Sequence, residues 1–579
     1  MHYTFDRFYH QIQAALLDSG LIGVDDIDLQ VPKAASVQAD LALPCFKAAK
    51  ARGVNPAQLA GQLAEAVRHQ FGSDSLVGSV EATGPFLNFN LNKSALARQV
   101  IGEIEAHGDS YGRDDRGLGR TIVVDYSAPN VAKRMHVGHI RSTIIGQALV
   151  NLLRAQGYTV VGDNHLGDWG KQFGMQIAAI ERWGAPEGDG EEALAQLEEL
   201  YSRYSALARE DPALDEEARA WSLRLEQGDP SALELWHWII DLTKRYNRRN
   251  YERLGVRFDT EHGESFYVDM TPQVIEDALK SGVAQRDEGG AVVVDIEGLP
   301  TFLLQRSDGG TLYHTRDLAT IKYREQTYHP DKIIYVVEQR QELHFRQLFA
   351  AARAMGYVRP EVELIHLYFG TIFDAQGKPL STRAGNMVYL EALLDDAVER
   401  AMAIVDSKAA ERGVQLSREE REEIAQAVGI GAVIYNDLYQ DPKRNITLDW
   451  NRMMSLEGNS ATYLQYTHAR CCSIIRRAGG LPGEYDAALL EHASEQALLK
   501  QLGQLPAAIR EASERYGPYV VADWLYQTAR EFAAFYRDCP VLEAATPELR
   551  AARLHLVHAV AQGLRNGLAL LGIKAPERM

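Results

Sequence analysis

The stretch from Thr121 to Asp163 admits very few folds. Thr121-Ile-Val-Val-Asp-Tyr126 is a short apolar strand, Ile140 to Gln156 has helical spacing, and Thr159-Val-Val-Gly-Asp163 is a second strand. Strand, loop, helix and strand in so short a span make a βαβ unit, which requires a parallel sheet and a right-handed crossover. The fold class expected is therefore α/β. Ligands of open α/β sheets bind at the carboxyl ends of the strands, where the chain turns into a helix.

The flanking segments divide the 579 residues further. Residues 1 to about 115 read as a small α+β domain. Asn55 to His69 carries Leu59, Leu63 and Val67 on one helical stripe, and Phe86 to Leu91 alternates as a strand. Gly108 to Gly119, rich in Gly, Asp and Arg, is the linker into the sheet domain, 116–388. Further strands fit at Ala291–Ile296, Thr301–Gln305, Lys332–Val337 and Glu363–Tyr368. A charged, mostly helical insertion occupies about 180–285. From Tyr389 helical spacing dominates, as a connecting region 389–450 and an all-α bundle 451–579, interrupted at Pro482-Gly483.

Composition narrows the class of function. No run approaches the ~18 apolar residues of a membrane span, and Met1 to Gly20 lacks the apolar core of a signal peptide. The four cysteines, Cys45, Cys471, Cys472 and Cys539, show neither zinc-ligand nor disulfide spacing. A reducing, cytoplasmic setting without structural zinc is expected. The net charge of −18 counts against a nucleic-acid partner, yet net charge averages over a large surface. Acidic residues crowd Glu191–Glu199 and Glu210–Glu217, which leaves room for a basic face elsewhere.

Chemistry concentrates in the loop of the βαβ unit. Asp125-Tyr-Ser-Ala-Pro-Asn-Val-Ala-Lys-Arg-Met-His-Val-Gly-His139 joins the first strand to the helix, whose N-terminus favours an anion. Gly138 lets a ring or phosphate come close, and His136 and His139 can donate to phosphate oxygens. Two histidines and a glycine also meet in ordinary loops. The strand-to-helix position and the nearby cation Lys133 favour the functional reading.

Ser127-Ala-Pro-Asn-Val-Ala-Lys133 and His136-Val-Gly-His-Ile-Arg-Ser-Thr-Ile-Ile-Gly146 resemble, flanks included, the HIGH signature of the arginyl-tRNA synthetases, a class I family. Asp163-Asn-His-Leu-Gly-Asp-Trp-Gly-Lys-Gln-Phe-Gly174 is similar to its next block, and Asp449 to Arg470 to the block that opens its anticodon-binding domain. The resemblance spans essentially the whole chain. It implies a Rossmann-type catalytic domain, an N-terminal domain that touches the tRNA elbow, and a helical anticodon-binding bundle. It implies ligation of arginine to tRNA(Arg), with ATP accompanied by Mg²⁺, in a monomer.

The resemblance also assigns residues. His136, His139 and Lys133 would be catalytic, and these with Gly138, Ser381, Thr382 and Arg383 would bind ATP. Gly377-Lys-Pro-Leu-Ser-Thr-Arg-Ala-Gly-Asn386 stands where the family has its KMSKS loop, but Pro379 and Thr382 occupy the lysine positions. Lys133 is expected to compensate, with Lys378 and Arg383 as neighbouring cations. A guanidinium calls for carboxylates and amide oxygens. Asp317, Tyr313, Asn130, Gln341 and His139 would hold arginine beside Ala128 and Pro129, with Asp125 a second candidate acid. Tyr463 and Tyr466 would stack on bases or form bundle core. Met579, Phe86 and Asn88 would also meet tRNA.

Three other readings compete. A small-molecule ligase or nucleotidyltransferase has no use for the helical last third. The cysteine enzyme of the same class would be expected to show zinc-ligand cysteines. A non-catalytic tRNA-binding relative draws support only from the altered KMSKS loop.

Overall fold

The computed structural model describes residues 3–32, 39–188, 190–380, 388–412 and 415–579. The N-terminal part holds β1 (Leu41–Pro44), β2 (Val77–Thr83) and β3 (Phe86–Leu91), antiparallel in the order β1-β3-β2. Gly84 turns the β2–β3 hairpin at φ +56°, where a side chain would strain. The helix Pro56–Arg68 starts where Asn55 Oδ1 accepts from the Ala57 and Gln58 amides, and it buries Leu59, Leu63 and Val67.

Four parallel strands form the central sheet, in the order β10-β9-β4-β5: β4 is Thr121–Asp125, β5 Thr159–Asp163, β9 Lys332–Glu338 and β10 Glu363–Phe369. The register sets Asp125 beside both Asp163 and Tyr335. The crossover helix Val137–Ala155 is buried along most of its length, because it lies between the sheet and the C-terminal helices. Gly146 makes that approach possible, since a Cβ there would fall 2.2 Å from the Tyr126 ring.

The segments around 291–296 and 301–305 do form strands, but outside this sheet. β6 (Ala284–Arg286), β7 (Val292–Val294) and β8 (Phe302–Gln305) make a separate antiparallel sheet. Their connections are too short for anything else, because a parallel crossover needs a dozen or more residues. The helices Glu191–Glu210, Pro212–Glu226 and Pro230–Leu254 precede them. β11 (Ile372–Phe373) pairs with β12 (Ile446–Thr447), a two-residue match across the chain that no periodicity announces.

The last third is helical, from Leu390–Arg412 and Arg418–Leu438 to Pro547–Leu570. One connected apolar core runs from Phe8 through Ile145 to Leu564, so the N-terminal, sheet and bundle parts share packing. A buried ion pair crosses the seam. Arg141, in the crossover helix, bonds Asp437 through Nε and Nη2, and its remaining N–H groups reach the carbonyls of Gly370, Pro442 and Arg444. Both side chains are at most 2% exposed. Replacing Arg141 by Met leaves a buried carboxylate without its partner, a change that costs about 3–5 kcal/mol. The expected result is a clearly lowered thermal midpoint, partly recovered when Asp437 is also replaced by Leu.

Candidate active site

A cavity of about 510 Å³ opens at the carboxyl ends of β4 and β9. Its edge is the loop that follows β4. Ser127, Ala128 and Ala132 have φ of 71°, 45° and 66°, a left-handed conformation that side chains disfavour by about 1–3 kcal/mol each. Surrounding groups hold it there. The Ser127 amide donates to Ser142 Oγ, the Ala128 amide to Asn164 Oδ1 and the Ala132 amide to Thr243 Oγ1. Ser127 Oγ sits 2.9 Å from the Tyr251 hydroxyl. Thr243 and Tyr251 belong to the helix Pro230–Leu254, so the insertion shapes the loop.

His136 caps the crossover helix. Its Nδ1 accepts from the Gly138 amide at 3.0 Å, and His139 Nδ1 accepts from the His136 amide at 3.2 Å. A Cβ on residue 138 would come 2.7 Å from the His136 ring, so glycine permits this folding-back. An imidazole that accepts at Nδ1 carries its proton on Nε2 when neutral. Burial, reinforced by His136 and Lys133, pulls His139 down to about 3. Burial and then Lys133 lower His136 too. The two rings lie 4.0 Å apart as neutral groups that each keep one N–H to donate, and both line the cavity.

The other end of the cavity is acidic. Asp317 accepts from His344 Nε2 at 2.7 Å, with His165 Nε2 3.8 Å from its second oxygen. Burial raises this carboxyl, but His344, His165 and Arg316 outweigh burial and hold it below its ordinary value. Glu264 lines the same end and pairs with Arg316 at 3.1 Å; burial raises it, against Arg316. Tyr313 stands half-exposed with its ring stacked on His314, and Asn130, Gln341 and Ala128 also line the cavity. Pro129 is not among the lining residues. It is buried, and its carbonyl accepts from the Gly167 amide.

Asp125 reaches the floor of the cavity with its charge already engaged. Arg324, fully buried, bonds Asp125 and Asp163 at 2.6 Å each. Burial raises the Asp125 carboxyl against the pull of Arg324, while Arg324 and Thr260 outweigh burial at Asp163 and lower it. Asp125, Asp163 and His165 bring three potential ligand atoms within 4.8 Å of one another. Two of the three, Asp125 and Asp163, are already bridged by Arg324 Nη2.

Lys133 is not among the lining residues; its ammonium lies 5.6 Å from the ring centre of Tyr201 on the helix Glu191–Glu210. Arg134 beside it forms a three-way junction. Glu198 of that helix accepts from the Arg134 amide and from its Nε, and the Arg134 guanidinium stacks 3.7 Å over Tyr389. Tyr389 in turn pairs by backbone with His136. Leu380, within the Gly377–Asn386 segment, lines the cavity and donates its amide to the Ile372 carbonyl. Ser381, Thr382 and Arg383 lie outside the described residues.

The residues expected to meet tRNA are scattered. Phe86 is exposed and packs edge-on against exposed Phe46, whereas Asn88 is buried and donates its amide to Thr83. A partner can reach Phe86 but not Asn88. Tyr463 is half-buried against the core, with its hydroxyl on the Ala529 carbonyl. Tyr466 is half-buried under the Arg470 guanidinium. Met579 packs on the cluster of Val405, Ile424 and Val428.

His165, Glu264 and His344 line the cavity without having been assigned a part from sequence. His165 lies two residues beyond β5, and its place at a strand's carboxyl end is a usable signal. Glu264 opens the short helical turn Glu264–Met270 inside the 180–285 insertion, where only tertiary folding brings it near Asp317.

Residues 102–450 match the family model described as "tRNA synthetases class I (R), catalytic domain". Residues 464–579 match the DALR anticodon binding domain, and 6–91 the arginyl tRNA synthetase N-terminal domain. An arginine–tRNA ligase of Chloroflexus aurantiacus is 61% identical over 582 aligned residues, covering 100% of both chains. One of Streptococcus thermophilus is 40% identical, covering 95% of each. The solved arginyl-tRNA synthetase of Thermus thermophilus superposes with a TM-score of 0.76 at 26% identity, covering 98% of this chain and 99% of that one.

Proposed function

This chain belongs to the arginyl-tRNA synthetase family, and we propose that its cavity holds ATP phosphates against His136 and His139 and the arginine guanidinium against Asp317 and Glu264. The activity is that of an arginine–tRNA ligase: arginine and ATP give arginyl-adenylate and pyrophosphate, and the arginyl group passes to the 3′ end of tRNA with release of AMP. The C-terminal domain match sets aside the small-molecule ligases.

One observation carries the residue-level reading. A single cavity is lined both by two neutral N–H donors, His136 and His139, and by the carboxyl groups of Asp317 and Glu264. In activation the arginine carboxylate attacks the α-phosphorus in line. The protein's part is positioning and stabilisation of phosphate charge. Neutral imidazoles suit the task, because they donate without a counter-charge to lose. Asp317 and Glu264 fix the far end, with Tyr313, Asn130 and Gln341 around the bound amino acid. Mg²⁺ accompanies the nucleotide. Lys133 supplies the cation that Pro379 and Thr382 lack, which requires its ammonium to leave Tyr201. Residues 1–115 meet the tRNA elbow through Phe86, 116–388 form the catalytic domain, 389–450 connect, and 451–579 read the anticodon. The insertion at about 180–285 is structural, holding the active-site loop through Thr243 and Tyr251, or faces the acceptor stem. The enzyme works as a monomer in the cytoplasm.

Two results test this assignment. In ATP–pyrophosphate exchange with tRNA present, Lys133→Ala should raise the KM for ATP and cut the rate by about 10- to 100-fold, with the arginine KM unchanged. An unaltered ATP KM would return the role to Lys378 or Arg383. Replacing Glu198 by Ala should lower kcat by about 10- to 100-fold through displacement of the histidines. Glu198→Gln, which keeps an acceptor for the Arg134 amide, should recover part of the loss.

A further inference from the structure

At the amino ends of β4 and β5, opposite the active site, lies a second cavity of about 400 Å³. Its lining comprises Arg116, Arg120, Gln156, Tyr158, Arg510, Ser513 and the single acid Glu514, with no aliphatic side chain among them. Three arginines around one cavity stand out in a chain of net charge −18. We propose that this cavity binds phosphate, either free or as a small phosphate monoester.

The arginines are held in place before any ligand arrives. Arg510 is gripped by Asp6 through both terminal nitrogens at 3.2 Å. Arg116 Nε bonds Asp114 at 3.2 Å. Arg120 lies 4.8 Å over the Tyr158 ring and donates to the Arg116 carbonyl at 2.6 Å. Donors fixed in advance lose little freedom on binding, and the guanidinium fork suits a tetrahedral oxyanion.

The lining offers one carboxylate, Glu514, against three guanidinium groups. A ligand rich in acceptors answers that imbalance, whereas a cation or an apolar ligand would worsen it. Asp6 and Asp114 sit behind the arginines and offset part of their charge, so millimolar rather than tight affinity is expected. The cavity is larger than a lone phosphate, which leaves room for a small organic group. Its walls come from the sheet domain and from the C-terminal helix Leu505–Glu514, and Asp6 ties in the N-terminal part. A bound anion would brace all three.

The test titrates the full-length protein with inorganic phosphate, and separately with ribose 5-phosphate, followed by ³¹P NMR or calorimetry. One saturable site is expected, weakened at least about tenfold in Arg120→Ala and in Arg116→Ala. Both variants should keep their thermal midpoint without phosphate and their arginine–ATP exchange. Saturation by inorganic phosphate assigns the free ion, and saturation by the ester alone assigns the monoester. No saturable binding of either, or binding equal in wild type and both variants, overturns the proposal.

Discussion

Asp317→Asn is expected to lower kcat/KM for arginine by about 10²–10³-fold, mostly through KM, while the KM for ATP stays near its normal value. The amide keeps the shape and removes the charge. A charge-assisted hydrogen bond to a carboxylate contributes about 1.5–3 kcal/mol, and two parallel bonds to a guanidinium compound this. The structure adds a second reason. His344 bonds Asp317 at 2.7 Å, so the carboxylate is oriented before arginine arrives and that orientation rests on its charge. Glu264, paired with Arg316, remains as the second acid and limits the loss. Steady-state exchange kinetics at varied arginine would read the effect directly. An unchanged arginine KM would take Asp317 out of the amino-acid pocket and undo the assignment of that end.

His136→Ala and His139→Ala should each reduce the rate of arginine activation by about 10²–10³-fold, the usual cost of removing one donor from a developing oxyanion. The double variant should lose much less than the product of the two, because the rings touch and act as one unit. Neutral donation gives the prediction its signature. His139 sits at about 3, so between about pH 5 and 8 its loss should leave the shape of the rate profile unchanged. A cationic role would instead show activity falling with deprotonation near pH 6.5. His136→Gln should retain part of the rate, since its amide also donates. The sign for stability follows from the same shift. A histidine lowered on folding binds its proton more readily when unfolded, so stability falls as pH drops from 6.5 toward 3.

How far these features could be read from sequence depends on how local they are. β5 spans Thr159–Asp163 as expected from its β-branched run, and the helix Pro56–Arg68 follows the stripe of Leu59, Leu63 and Val67 behind its Asn cap. The strand-to-helix loop is legible because glycine and two histidines occupy a position that parallel sheets reserve for ligands. What sequence hides is long-range. Asp125 is 199 residues from Arg324, and nothing near either residue says that one will take up the other's charge. Asn88 lies on a strand whose pattern did not reveal which face is buried, and the fold turns its amide onto Thr83. Lys133 and Arg134 are neighbours in a loop, and only the insertion helix, through Tyr201 and Glu198, decides where their side chains go. β7 and β8 read as members of the main sheet because short apolar strands carry no label for their partners.

On the proposed reading, one cavity joins an acidic guanidinium site to a pair of neutral phosphate donors in order to charge tRNA with arginine. Aminoacylation of total tRNA, supplied with ATP and each amino acid in turn, tests it most directly. The expected result is acid-precipitable charging with arginine and with no other amino acid, lost in His136→Ala and strongly reduced in Asp317→Asn. Charging with a different amino acid and none with arginine would contradict it.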